Sequence, residues 1–216
     1  MQLIDAHDLD AARKLARRFW DTFERDPRVG RVRAGASPLV IVDAEALAIT
    51  LPQVLHDLLG GPGAELSIYG FGKSYGLAAA DHFKTWALGE GASEASSGTG
   101  ALFWPMHIGL TPRITILEGH VEPHLLLLVE IAQGALSEVR TSRSLDTRPT
   151  RMFLSGLVSG ALSRRFGTPL EARELPGGDA SHRVVVAPPG ELAGDLEDPR
   201  LTAPVGSFTG VLVVEA

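Results

Sequence analysis

The hydrophobic period changes three times along this 216-residue chain, and that alternation constrains the fold more than any single motif. Residues from about Asp8 to Arg25 place Leu9, Ala12, Leu15, Ala16, Phe19, Trp20 and Phe23 at helical spacing. That pattern predicts an amphipathic helix, capped by Asp8 or Asp10 and ended by Asp26-Pro27. Leu39–Val42 reads as a short strand. Pro52 to Leu59 reads as a short helix that stops at Gly60-Gly61. Ala64 to Leu88 predicts a second long helix. Arg113–Glu118 then alternates, and Pro123–Gln133 is a nearly continuous apolar run of β character, as a buried strand requires. Arg148–Phe166 returns to the helical period, with Gly167 as its stop. Leu170–Glu174 and His182–Ala187 alternate again around Pro176-Gly177-Gly178-Asp179, a hairpin signal. Phe208–Val214 is expected to be a last strand.

Helices, then strands, a helix, then strands again, with no repeated βαβ unit, predict an α+β fold. Its antiparallel sheet should be covered on one side by helices, in a single domain. The two long helices carry an unusual load of glycine: Gly70, Gly72 and Gly76 in the first, Gly156 and Gly160 in the second. Each costs the helix ~1 kcal/mol against alanine, so each needs a reason. Close approach of another element is the expected one. Residues 89–100 (GEGASEASSGTG) are small and polar, and read as a flexible loop.

Composition removes several function classes. The chain has no cysteine, which excludes disulfides, thiolate nucleophiles and cysteine-based metal sites and fits a cytoplasmic setting. With 20 basic against 26 acidic residues, a net charge of −6 and no basic stripe, no nucleic-acid partner is expected. The acidic first ten residues do not form a signal peptide. No apolar run approaches the ~20 residues of a membrane-spanning helix.

Short motifs add little. Gly72-Lys73-Ser74 looks like the end of a phosphate loop, but Ser67 stands where that motif needs its first glycine, and no strand precedes it. His120 and His124 are four apart near Glu118, Glu122 and Glu130. Pro123 and the β pattern keep them off one helical face, so a turn with solvated histidines is expected rather than a zinc grip. No nucleophile elbow and no assignable triad are present, and no cofactor is expected. The aromatic distribution says more. Tyr69, Phe71, Tyr75, Phe83, Trp86, Phe103 and Trp104 gather seven of thirteen aromatics into 36 residues. With His82 and His107 as polar handles they could line a small-molecule cavity; an ordinary core or a dimer interface uses the same residue types.

Three stretches, Ser67–Phe83 (SIYGFGKSYGLAAADHF), Met152–Phe166 (MFLSGLVSGALSRRF) and Gly167–Val186, together resemble the 4-vinyl-reductase or hydrocarbon-binding domain, which is similar in fold to subunits of a vesicle-transport tethering complex. The resemblance covers residues 45–188. It leaves 1–44 as an N-terminal helix and strand and 189–216 as an extension with the last strand. It implies a pocket between helices and sheet, often in a homodimer. Many members can hold zinc through cysteines at places that fall here at about Arg151, Glu174 and His182. Arg151 has no lone pair to give a metal, so an Arg151–Glu174 ion pair with His182 is expected to brace that corner. The resemblance implies a non-enzymatic sensor or carrier for a small apolar or aromatic ligand. Walls would come from the seven aromatics, with His82 and His107 orienting a polar group. Gly72, Gly76, Gly156 and Gly160 would permit close packing, and output would pass to a downstream regulatory protein. Two other readings share the pattern: an interaction module with a filled pocket, and an accessory to tetrapyrrole pigment reduction.

Overall fold

The computed structural model describes residues 6–26, 28, 31–34, 37–39, 42–121, 124–175, 181–190 and 210–215. Helix α1 spans Ala6–Asp21. It buries Ala12, Leu15, Ala16 and Phe19, spaced three or four apart as one helical face demands. The helix stops before the predicted Asp26-Pro27, where the Thr22 hydroxyl donates to the Phe19 carbonyl and closes the last turn. Strands β1 (Glu24–Asp26), β2 (Arg31–Ala34) and β3 (Ser37–Leu39) follow and form a small antiparallel sheet. The sequence pattern predicts a short strand at Leu39–Val42, of which β3 takes in only Leu39.

A π-helical turn, Ala46–Thr50, leads into α2, Leu51–Gly89. Gly60 interrupts α2 with φ 72° and ψ 172°, the break that its glycine pair signals. The helix restarts at once because Pro62 falls in the first turn of the new segment, where a missing N–H costs nothing. The predicted flexible loop is mostly helix α3, Glu94–Gly100. Ser93 caps it by accepting from the Ser96 amide at 3.1 Å. Ser96 to Gly100 are buried. Their smallness serves contact rather than flexibility: a methyl on Gly98 would fall 2.6 Å from Arg165 Cδ.

After a 3₁₀ turn (Ala101–Phe103) comes the short α4, Trp104–His107, then β4 (Arg113–Val121) and β5 (His124–Ala132). Helix α5, Ala135–Ser142, has no counterpart in the sequence reading. Helix α6 spans Arg148–Phe166 and ends at Gly167, whose φ of 67° lies in the left-handed region. Strands β6 (Glu171–Glu174), β7 (Ser181–Ala187) and β8 (Gly210–Glu215) complete a five-stranded antiparallel sheet ordered β6-β7-β5-β4-β8. The fold is α+β, as the alternation of periods implies. The Pro176–Asp179 turn lies outside the described residues.

One face of this sheet carries Ile114, Ile116, Leu127, Val129, Ile131, Val184 and Val186, all buried in the core shared with the helices. Register puts His182 opposite Ile131 and Glu174 opposite Val184, so both side chains belong to that helix-facing side. Across it α2 and α6 run in contact. A methyl on Gly72 or Gly76 of α2 would meet the backbone of Phe153 or Leu157, at 3.0 and 2.9 Å from the carbonyl carbons and nearer still to the oxygens. Gly156 and Gly160 of α6 meet the backbone around Tyr69 and Lys73 in the same way. Four glycines therefore set the distance between the helices that carry most of the candidate site. Lys73 and Ser74 lie in the middle of α2, with no loop to cradle a phosphate. No described helix is long and apolar enough to cross a membrane.

Candidate functional site

A cavity of about 320 Å³ opens where α1, β2, β3, α2, α4, α5 and α6 converge. Helix α2 contributes Phe71 and Tyr75, four apart on one face, and α6 contributes Phe153. Trp104, Ile108 and Leu110 line it from α4 and the following turn, and α5 adds Ala135 and Leu136. The other wall is N-terminal: Trp20, Phe23, Val32, Leu39 and Val42. Phe23, Val42 and Phe71 keep 44%, 49% and 44% exposure, which places them at a mouth. Ring centroids of Trp20 and Trp104 stand 5.0 Å apart, and those of Tyr75 and Phe153 6.2 Å apart, within the range of favourable aromatic contacts.

Polar groups are few. The Trp104 indole Nε1–H donates to the Tyr75 hydroxyl oxygen at 3.0 Å. Burial pushes the Tyr75 pKa up, against the smaller lowering effect of that bond. The phenol therefore stays protonated. Its own O–H has no acceptor among the described residues and is free to donate.

Of the seven aromatics expected to wall a ligand site, Phe71, Tyr75 and Trp104 line this cavity. The others have different posts. Tyr69 donates to Ser159 Oγ at 3.2 Å and accepts from the Ala172 amide at 2.9 Å, tying α2 to α6 and β6. Phe83 and Phe103 are 1% and 0% exposed in the core. Trp86 packs on Phe19 with centroids 5.0 Å apart. The reason is helical rise: Phe83 lies about 12 Å further along α2 than Tyr75, too far to face the same cavity. His82 is exposed and lines no described cavity. His107 stacks on Trp20 at 5.8 Å, behind the lining. Its Nε2 is buried without a hydrogen-bond partner among the described residues. Burial, then the Arg17 charge, lowers its pKa and favours the neutral ring. Sequence reasoning missed Trp20, Phe23 and Phe153, although all three sit on predicted helical stripes beside residues that do turn inward.

A second cluster occupies the corner between α6 and the sheet edge. Arg151 Nε sits 2.5 Å from Glu174 Oε1, with both side chains 26% exposed. Arg151 also donates to Thr147 Oγ1 at 2.7 Å. Ser155 Oγ donates to the Arg151 carbonyl at 2.7 Å and lies 3.5 Å from His182 Nε2. Burial, and then the charge of Arg151, lower the His182 pKa from 6.5 to about 4. His182 is therefore neutral at pH 7. Among the described residues no group of three or more His, Cys, Asp or Glu could hold a metal. His120 and His124 fall on β4 and β5 beside their connection, and their side chains lie outside the described residues.

No protein-family model matches the chain, and no curated protein matches its sequence. Among solved structures, it is similar to the phenol-responsive sensory domain of the transcription activator PoxR, determined with phenol. The TM-score is 0.61, covering 86% of this chain and 92% of that one at 19% identity. At that identity the likeness establishes the fold, an α+β arrangement shared with a sensory domain.

Proposed function

We propose that this chain is a sensory domain that binds one small aromatic molecule bearing a hydrogen-bond acceptor. The observation that carries the reading is the 320 Å³ apolar cavity with a single uncommitted donor, the Tyr75 hydroxyl. The volume is about twice the ~150 Å³ that accommodates benzene, enough for one substituted ring. Its walls are apolar side chains that cannot pair with the water a solvent-open cavity holds, so an aromatic occupant that displaces this water is favoured. Trp20, Trp104, Phe71 and Phe153 supply the ring faces, and Tyr75 donates to an oxygen on the ligand. His107, whose ring lies 5.8 Å from that of Trp20, is a second polar group close to the lining. The phenol named with the PoxR domain fits this chemistry. Output would pass to a downstream regulatory protein through α5 and α6, which both touch the cavity.

Native mass spectrometry of the purified protein, with titration calorimetry against phenol, tests this. A stoichiometric small aromatic mass, or a saturable phenol isotherm competed by that molecule, is the expected result. A bare mass and no heat with millimolar phenol would refute it. The refuting pattern would favour an interaction module, for which one observation speaks. Val54, Leu58, Leu59 and Leu66 of α2 are 47%, 74%, 52% and 72% exposed around Gly60. We infer that this patch is a homodimer contact; a monomer by sedimentation at tens of micromolar would exclude it.

A further inference from the structure

Beside the main cavity lies a small void of about 10 Å³, separated from it by Leu47, Phe71, Leu136 and Phe153, which line both. Thr150 supplies the void's single polar side chain. It is 3% exposed, and its Oγ1 has no hydrogen-bond partner among the described residues. In the first turn of α6 the outlets for a threonine hydroxyl are the carbonyls three and four residues back. Here Thr147 O accepts the Arg151 amide and Asp146 O accepts Arg140 Nε, and Thr150 Oγ1 bonds to neither. A buried hydroxyl left unpaired is costly. The void is about large enough for one water. Thr150 is the one side-chain partner a water would have there, and a polar atom of a bound ligand that reproduces that hydrogen bond could take the water's place.

Building on the proposed aromatic ligand, we propose that the side void is a specificity subsite. Thr150 Oγ1 there donates a hydrogen bond to, or accepts one from, a second polar substituent of the ring. The ligand class is then a ring with two hydrogen-bonding groups, one meeting the Tyr75 hydroxyl and one, of a single heavy atom such as a hydroxyl or amine, meeting Thr150. Leu136 and Phe153 are buried, whereas Leu47 is partly buried and Phe71 half-exposed, so these last two are the members of the partition with room to turn aside.

The test is calorimetric binding of phenol and of the 1,2-, 1,3- and 1,4-dihydroxybenzenes to the full chain and to Thr150→Val and Thr150→Ser. One dihydroxybenzene isomer should bind about three- to tenfold more tightly than phenol, the range of one neutral hydrogen bond. Thr150→Val should bring that isomer level with phenol and leave phenol unchanged, while Thr150→Ser keeps the gain. If the valine variant does not fold, Thr150→Ala should show the same loss. Phenol binding with no isomer gaining, or a gain that survives Thr150→Val, overturns the subsite and leaves the aromatic cavity standing. Failure of all four compounds overturns the cavity reading and this inference with it.

Discussion

Gly156→Ala should destabilise the protein even though alanine is the better helix former. Its Cβ would lie 2.9 Å from the Lys73 amide nitrogen and closer to the Tyr69 carbonyl oxygen, where ordinary contact begins at 3.4 Å. Both obstacles are backbone inside α2, so no side-chain rotation relieves them; the nearer one, the Tyr69 oxygen, requires the helices to part by about 1 Å. A gap of that size forfeits about a half of the dispersion energy across the contact. Overpacking of this kind costs up to about 3 kcal/mol, and the helical propensity of alanine returns about 1 kcal/mol. The net loss is about 2 kcal/mol, a fall in Tm of roughly 4–8 °C for a chain of this length. Gly70→Ala in α2 is the control, because nothing lies within 4 Å of its added methyl. It should gain about 0.5–1 kcal/mol and raise Tm by a few degrees. Thermal unfolding followed by circular dichroism measures both. A Gly156→Ala protein as stable as wild type, or more so, would show that the helices are not in backbone contact. The glycine argument would then fail, and with it the fixed spacing of Phe71, Tyr75 and Phe153.

Tyr75→Phe removes the acceptor for Trp104 Nε1 and the free donor together. It should cost about 1–2 kcal/mol in urea unfolding, and phenol affinity about three- to tenfold, while toluene binding stays constant. His182 takes its proton near 6.5 when unfolded but at about 4 when folded. The unfolded state thus binds more protons between those values. Its contribution is complete above pH 6.5 and lost as pH falls towards 4, at most about 3 kcal/mol. Urea melts at pH 7 and 4.5 should differ accordingly, and the difference should shrink in His182→Gln. Arg151→Met breaks the half-buried pair with Glu174 and should cost about 1–2 kcal/mol. Because it also removes a cation beside His182, the imidazole pKa should rise, as NMR titration would show. Unchanged stability and unchanged ligand binding in that variant would refute the bracing role.

The glycines show how far a pattern can be read. Gly-x3-Gly in two helices asks for close approach wherever it occurs, and Gly167 after an amphipathic stripe ends a helix by its own backbone freedom. In residues 89–100 the same small residues misled, because smallness suits a mobile loop and a tightly packed α3 equally. Helix α5 went unread because eight residues with mixed polarity give too few turns for a period.

Local chemistry determined where the long helices run, where Gly60 and Gly167 interrupt or end them, and which alternating segments of the larger sheet form strands. These depend on backbone sterics and on a hydrophobic period that each segment carries within itself. Tertiary structure alone decided which aromatics see a cavity. Phe71, Tyr75, Phe83 and Phe103 are chemically alike in the sequence. Helical rise along α2 and the return of the N-terminal segment over α4 put two at the cavity and two in the core. The Tyr75 proton and the Thr150 hydroxyl, each without an acceptor among the described residues, were set at the same level. A donor is spare only once every neighbour that could accept from it has been brought into place or kept away.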